Sequence, residues 1–349
     1  MVRDMNDNDI LLRINNLKTY FYLREGVVRA VDGATLSVRR GKTLGVVGES
    51  GCGKSVTAQS ILQIVPRPGL IVEGEITLFG DGDGGGGEDA GVNITALGLQ
   101  SAEMRSIRGS DIGMIFQEPM TSFSPVHTIG DQLAETILLH NKVAKDVSKS
   151  MAIEMMNSVG IANAERNYMA YPHQLSGGMR QRAMIAMALM LRPKLLIADE
   201  PTTALDVTTE AQILRLMREL QRKLGMAIMF ITHDLGVIAE MADEVAVMYL
   251  GRVVECADVD TIFYGPKHPY LVALLRSVPR IGVEAVSRLA TIEGMVPNPL
   301  DIPAGCPFHT RCTEVMTGLC DVEIPAYIEL EPGHKVACHL YNRNGQRDE

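Results

Sequence analysis

The residues with the clearest chemical purpose are Gly48-Glu49-Ser50-Gly51-Cys52-Gly53-Lys54-Ser55. They fill a G-x-x-x-x-G-K-[ST] pattern at every fixed position. Glycines at 48, 51 and 53 let the backbone wrap an anion, with successive N–H groups pointing inward. The apolar run Thr43-Leu44-Gly45-Val46-Val47 precedes them, and the helix-like run Val56-Thr57-Ala58-Gln59-Ser60-Ile61-Leu62 follows. Strand, glycine turn and helix in that order bring a positive helix end to a phosphate chain. Lys54 can then reach β- and γ-phosphates, and the Ser55 hydroxyl can ligate Mg²⁺.

A second set of polar residues stands where apolar runs end. Lys194-Leu195-Leu196-Ile197-Ala198 reads as a buried parallel strand and closes on Asp199-Glu200. A carboxylate at that point suits Mg²⁺, directly or through water. A neighbouring carboxylate can orient and polarise water beside a metal-bound γ-phosphate. An isolated Asp-Glu pair would more simply be a helix cap or a turn; the buried strand and the phosphate loop argue against that here. Leu175-Ser176-Gly177-Gly178-Met179-Arg180-Gln181-Arg182 is a second glycine turn opening a helix. Its hydroxyl and N–H groups also suit phosphate. The two helix starts serve one nucleotide if the fold joins them; otherwise each chain lends its second start to a partner's nucleotide. His233 ends the run Met226-Ala227-Ile228-Met229-Phe230-Ile231-Thr232.

The elements that must position these groups alternate between strand and helix. The stretch from Ile10 to Val38 reads as β, with short strands expected at 11–14 and 27–31, broken by Arg24-Glu25-Gly26. Tyr20, Phe21 and Tyr22 lie between them, and either purine stacking or sheet packing suits such aromatics. Further strands are expected at 74–79, 111–117 and 244–249, with helices over about 129–160, 178–191, 209–224 and 235–241. Met184, Met187 and Met190 read as core filling. The alternation predicts a parallel α/β sheet covered on both faces, with ligands at the C-terminal strand ends. Residues 80–91 form a glycine-rich acidic loop with no assigned role. After Gly265-Pro266-Lys267-His268-Pro269 the pattern changes to one short helix at 270–278 and then Pro- and Gly-rich chain. The expected division is residues 1–265 and a small appended domain at 266–349.

Composition limits the classes. The chain has 349 residues, enough for roughly two domains. The net charge of −9 disfavours a nucleic-acid binder, which needs a basic face. The polar start Met1-Val2-Arg3-Asp4-Met5-Asn6-Asp7 is no signal peptide, and no uncharged apolar run reaches the ~18 residues of a membrane span. A cytosolic protein is expected, working at a membrane only through a partner. Cys306, Cys312, Cys320 and Cys338 crowd the tail with spacing C-x5-C-x7-C-x17-C. In the cytosol such a cluster suggests zinc or an iron–sulfur cluster more than disulfides, although the lack of a C-x-x-C pair weakens a zinc finger. Four free thiols packed in a small domain are the plainer reading.

Together with Gln117, Ala204-Leu205-Asp206 and His233, these motifs resemble the ATP-binding subunits of ABC transporters over residues 10–260. The resemblance implies a P-loop NTPase fold: an α/β domain with a mostly parallel sheet, an N-terminal antiparallel β subdomain and a helical subdomain at about 118–190. It implies ATP held by Gly48, Ser50, Gly51, Cys52, Gly53, Lys54, Ser55 and Val56, the Walker A loop and its helix. Mg²⁺ would be held by Ser55, Gln117 and Asp199. Glu200 would be the catalytic base, Gln117 the Q-loop sensor and His233 the switch histidine. Ser176, Gly177 and Gly178, with Gln181 beside them, would close on a partner's ATP, and Asp206 would be the D-loop aspartate. Adenine would stack on Phe21, with Tyr20 as second choice.

A narrower resemblance covers nearly the whole chain. Gln117-Glu118-Pro119-Met120-Thr121-Ser122, Tyr171-Pro172-His173-Gln174-Leu175-Ser176-Gly177-Gly178-Met179, residues 198–207 and Lys267-His268-Pro269-Tyr270 are similar to the oligopeptide/dipeptide/nickel importer subfamily. Phe123-Ser124-Pro125 departs from its frequent Leu-Asn-Pro, in a stretch that would face the membrane partner. The subfamily's C-terminal extension resembles the cysteine tail, and some members hold a [4Fe–4S] cluster there. The resemblance thus implies Cys306, Cys312, Cys320 and Cys338 as cluster ligands, with Zn as the alternative. It implies a peripheral ATPase on the cytoplasmic face of a bacterial inner membrane, powering di- or oligopeptide uptake. Its partners would be a second ATPase subunit, commonly a different chain, two membrane-spanning permease subunits and a periplasmic or extracellular solute-binding protein. Sugar or metal uptake by the same machinery is the near alternative. A soluble ABC ATPase acting on nucleic acid or ribosomes, or a cluster-dependent redox regulator, is the distant one.

Overall fold

The computed structural model describes residues 9–80, 91–117, 122–203, 205–277 and 292–341. Residues 81–90 of the acidic loop, Glu118-Pro119-Met120-Thr121 and Ala204 lie outside the described residues. In chain order the strands are β1 (Ile10–Tyr22), β2 (Val27–Arg39), β3 (Thr43–Val47), β4 (Gly69–Leu78), β5 (Val92–Asn93), β6 (Ile112–Ile115), β7 (Leu195–Asp199), β8 (Ala227–Ile231), β9 (Glu244–Tyr249), β10 (Arg252–Asp258), β11 (Tyr327–Glu331) and β12 (His334–Ala337). The chain forms two compact units, residues 1–37, 44–95 and 232–349 in one and residues 38–43 and 96–231 in the other.

In the first unit an antiparallel sheet runs in the order β2-β1-β4-β5. β1 is far longer than the expected strand at 11–14. It continues through the three aromatics because β4 pairs along it, from Leu12 opposite Leu78 to Phe21 opposite Gly69. A register shift between Asn15 and Lys18 accommodates the polar pair Asn15-Asn16. β3 is buried along its whole length and runs parallel to β9. β10 then pairs antiparallel with β9, and the tail adds β12 and β11 to its other side. None of these last three strands was expected. β10 carries Glu255 and Cys256 at its centre, and the Tyr-Ile-Glu-Leu-Glu of β11 sits in chain that looked irregular.

Glu255 explains how a carboxylate can lie in such a strand. It is fully buried and accepts the N–H groups of Lys267 at 2.9 Å and His268 at 2.6 Å. Nε2 of buried His334, from β12, lies 2.8 Å from Oε1, the oxygen that also takes the Lys267 N–H. A buried carboxylate is stable only when its lone pairs are met in this way. Burial pushes the His268 imidazole down to about 3, so it stays neutral. Its Nδ1 accepts the Tyr270 N–H at 3.1 Å and caps the helix Pro269–Arg276, which opens with the proline that a first turn favours.

The second unit holds the parallel strands β6, β7 and β8, with Ile112 opposite Leu195 and Leu195 opposite Ala227. β7 and β8 are buried at every residue, the pattern of strands covered on both faces. The expected helix over 129–160 is two, Ile129–His140 and Lys145–Ser158. The Tyr168 ring occupies the space beside Gly130 that a Cβ would take. The helix Gly177–Leu189 buries Met184 and Ile185, while Met187 is only half-buried. The helix Val207–Leu224 buries Ile213, Leu214, Leu216, Met217 and Leu220 on one face. Asp206 caps its start, Arg222 and Lys223 lie in its last turn, and left-handed Gly225 ends it.

Replacing Glu255 with Ala strands two N–H groups and a histidine in the interior. The expected loss is about 3 kcal/mol of unfolding free energy, read as a lower urea midpoint. An unchanged midpoint would show that the buried network contributes nothing to stability.

Candidate functional site

The first unit presents the phosphate loop where β3 ends at Val47. The helix Lys54–Ile61 begins directly after Gly53. Glycine is required at two places. A Cβ on Gly48 would collide with the Met248 carbonyl oxygen, and one on Gly53, at φ +100°, with the Ala30 carbonyl oxygen. The loop is pinned from outside as well: the Cys52 carbonyl accepts the Gly251 N–H at 2.9 Å. Lys54 is only 5% exposed. Its ammonium donates to the carbonyls of Gly48 at 2.7 Å and Glu49 at 3.1 Å. Burial pushes the Cys52 thiol up despite nearby Lys54, which makes it a packing group. Ser50 and Gly51 are exposed, and Ser55 and Val56 half-buried.

Glu49, inside the loop, is held twice by residues from the last third of the chain. The Tyr270 hydroxyl accepts its N–H at 2.9 Å. Arg311 grips its carboxylate with Nη1 at 2.8 Å and Nη2 at 3.2 Å. Arg311 also donates to the Tyr249 hydroxyl at 3.3 Å. The rings of Tyr249, Tyr270 and Phe308 pack together beneath it, with centroids 4.7–5.4 Å apart. Lys267-His268-Pro269-Tyr270 stood out in the sequence, but nothing in it announced this contact. Arg311 carried no signal at all.

The other expected residues of this unit are His233 and the aromatics. His233 is exposed and lies just after the Thr232 N–H that donates to Val46 at 3.2 Å. Asp234 then caps the helix Leu235–Met241. The Tyr20 hydroxyl donates to Asp32 at 2.6 Å, and burial with that bond pushes its phenol up to about 12. Burial of Asp32 is outweighed by Tyr20 and by Arg252 at 2.6 Å, which hold its carboxyl below the usual range. Tyr20 is thus committed within the sheet, while Phe21 is half-buried at the strand end beside Gly69.

The second unit gathers most of the remaining groups. β7 ends at Asp199, which is 3% exposed. Glu200 follows at φ +47°, a conformation that costs a side-chain-bearing residue about 1–3 kcal/mol. Its N–H donates to Ile231 at 2.9 Å. Its Oε2 accepts from Gln117 Nε2 at 3.1 Å and from Thr203 Oγ1 at 2.9 Å. Gln117 and Glu200, 83 residues apart, are thus brought together; Thr203 was not foreseen. The Ser176 hydroxyl caps the helix Gly177–Leu189 by accepting the Met179 N–H at 3.3 Å, with Gly177 and Gly178 in its first turn. Gln181 is buried and donates to the Pro201 carbonyl, tying this helix to the chain after Glu200. Asp206 accepts from Thr209 through both its carboxylate oxygens, which holds its carboxyl below the usual range.

In the tail, all four cysteines are free thiols, with Cys306 and Cys320 buried. The Cys306 N–H donates to the Cys320 carbonyl at 2.8 Å. Burial pushes Cys306 up to about 11 and Cys338 up to about 12, and the charges of neighbouring cysteines push the same way. Among the described residues, no three His, Cys, Asp or Glu groups are arranged to hold a metal ion. The expected zinc or iron–sulfur site therefore finds no support in this geometry.

Residues 31–203 match the family described as ABC transporter, and residues 254–320 match the oligopeptide/dipeptide transporter C-terminal region. The probable peptide ABC transporter ATP-binding protein y4tR of Sinorhizobium fredii is 49% identical over 96% of both chains. The oligopeptide transport ATP-binding protein AppD of Bacillus subtilis is 46% identical over 96% of this chain and 98% of its own. The chain belongs to the ATP-binding proteins of ABC transporters. Among solved structures, the ATP-binding cassette MJ0796 bound to ADP and Pi superposes with a TM-score of 0.61, covering 71% of this chain and 99% of that one. At 24% identity that likeness speaks for the fold alone. This ABC protein is an ATPase, with a mixed α/β fold and an antiparallel N-terminal sheet.

Gly48→Ala should displace the loop of this ATPase from the Met248 carbonyl. The forced shift costs about 1–3 kcal/mol, so ATP affinity should fall by about tenfold or more, with the far-UV circular dichroism unchanged. Wild-type affinity in a nucleotide titration would show that the close approach is dispensable.

Proposed function

We propose that this chain is the ATP-hydrolysing subunit of a bacterial importer of di- or oligopeptides. The observation that carries the reading is the match of residues 254–320 to the peptide-transporter C-terminal region, in a chain that also bears the ABC match. In this reading residues 1–265 form the ATPase and residues 266–349 the extension typical of the subfamily. The phosphates of ATP lie on residues 48–55, with Lys54 as their cation and Phe21 against adenine. Ser55, Gln117 and Asp199 hold Mg²⁺. Glu200, oriented by Gln117 and Thr203, polarises the attacking water, and His233 meets the charge that grows on the γ-phosphate. Ser176, Gly177 and Gly178 act on the ATP of a second ATPase subunit, commonly a different chain, with Asp206 nearby.

The partners in this reading are two membrane-spanning permeases and a periplasmic or extracellular solute-binding protein. The subunit is peripheral in this reading, on the cytoplasmic face of the membrane; no helix among the described residues is long and apolar enough to cross one. Residues 117–127 pass the motion to the permeases. Gln132 braces residues 124–127: its Oε1 accepts the Ser124 N–H at 2.8 Å, and its Nε2 donates to the Ser124 and His127 carbonyls at 3.1 Å. Phe123 is buried there, and Val126 is 72% exposed.

The donor chemistry of Cys306, Cys312, Cys320 and Cys338 suits a [4Fe–4S] cluster: four thiols within range of one another's charge. A small Pro- and Gly-rich tail gains stability from a metal staple, which supports the same reading.

Glu200→Gln should lower turnover by about 10²–10⁴-fold while ATP stays bound, as measured by phosphate release and by retained nucleotide. Undiminished turnover would remove Glu200 from the chemistry. Anaerobically purified protein should carry about four irons and four sulfides per chain, and Cys306→Ser should lose them. Zinc without sulfide, or neither metal, would end the cluster assignment and leave the ATPase standing.

A further inference from the structure

Glu49 is the only acid in the loop of residues 48–55. Its carboxylate adds negative charge to a loop whose task is to bind the negative phosphates of ATP. The tail answers it with Arg311, whose side chain is 4% exposed and meets both Glu49 oxygens through separate nitrogens. A two-pronged guanidinium pair is the strongest neutral-sum arrangement available to a carboxylate. The Tyr249 hydroxyl at 3.3 Å and the Phe308 ring, 6.0 Å from the guanidinium, hold Arg311 in place. Tyr270 fixes the Glu49 backbone separately through its N–H. The position of residue 49 thus does not depend on Arg311 alone, but its charge balance does.

We propose that Arg311 is a positioning residue of the nucleotide site, which sets the ATP affinity of the loop by cancelling the charge of Glu49. The inference rests on residues 48–55 being the phosphate loop. With Arg311 removed, an unbalanced carboxylate stands beside the bound triphosphate and repels it. With both charges removed, the repulsion disappears. The effect falls on ATP binding and so on KM, and leaves kcat nearly untouched. A nucleoside without phosphates does not feel it.

The test is equilibrium binding of Mg-ATP, and of adenosine, to the full chain and to three variants. Arg311→Gln should weaken ATP by about tenfold and leave adenosine unchanged. Glu49→Gln should bind ATP as well as the wild type or better. The double variant, Glu49→Gln with Arg311→Gln, should return close to the wild-type affinity. Steady-state kinetics of the assembled ATPase should show the same order in KM. Arg311→Gln binding ATP like the wild type would overturn the proposal. So would a double variant as weak as Arg311→Gln, since Arg311 would then act only by holding the tail. If Arg311→Gln does not fold, Glu49→Gln still decides: ATP affinity lowered in that variant means the pair is a strut. A wild-type chain that binds no ATP would instead remove the phosphate-loop reading beneath the proposal.

Discussion

A phosphate loop works only if its outer side is anchored tightly enough for its inner N–H groups to stay aimed at an anion. Here that anchoring is backbone against backbone. Gly48 lies under the Met248 carbonyl, Gly53 lies under the Ala30 carbonyl, and the Gly251 N–H is bonded to Cys52. No side chain fits between these segments, so the loop has the rigidity of the strands beside it. The parallel pairing of β3 with β9 puts Met248 there, and the turn between β9 and β10 supplies Gly251. Those strands are in turn kept in register by the tail strand β12 on β10.

The tail therefore belongs to the architecture of the first unit. Glu255, His268 and His334 join β10, the helix Pro269–Arg276 and β12 through one buried carboxylate. The same helix start that Glu255 anchors carries Tyr270, whose hydroxyl reaches the loop. A buried acid with all of its bonds met costs little in place and much when broken, which makes it a stiff joint. Stiffness is what a contact on a phosphate loop requires. A mobile partner would add its own disorder to the loop.

How much of this was legible in the sequence depended on distance along the chain. The loop at 48–55 and the acids at 199–200 follow directly from consecutive residues, because their chemistry is built from neighbours. The buried strands β7 and β8 were legible for the same reason. The meeting of Gln117 with Glu200, 83 residues apart, was reachable only through resemblance. The bonds that let Glu255 lie in a strand come from residues 12 to 79 positions away. Arg311 and Glu49, 262 residues apart, form a pair that no local pattern contains. The β character of the chain from Ile10 was legible too, but the full length of β1 was not: the pairing with β4 sets it, and the register shift after Asn15 is a property of that partner.

The strained residue Glu200 shows why the second unit needs its own set of braces. A glutamate at φ +47° gives up conformational energy, and it returns to ordinary backbone unless several bonds hold it. The Ile231 carbonyl takes its N–H, the Thr203 N–H donates to its carbonyl at 3.2 Å, and the Gln117 and Thr203 side chains both donate to Oε2. The side-chain donors from Gln117 and Thr203 are an amide and a hydroxyl, which fix the direction of the carboxylate. At Glu49 the donor is a guanidinium, which meets both carboxylate oxygens through separate nitrogens. A charged, two-pronged donor binds a carboxylate more strongly than a neutral one, so the contact made over 262 residues of chain is also the stronger of the two.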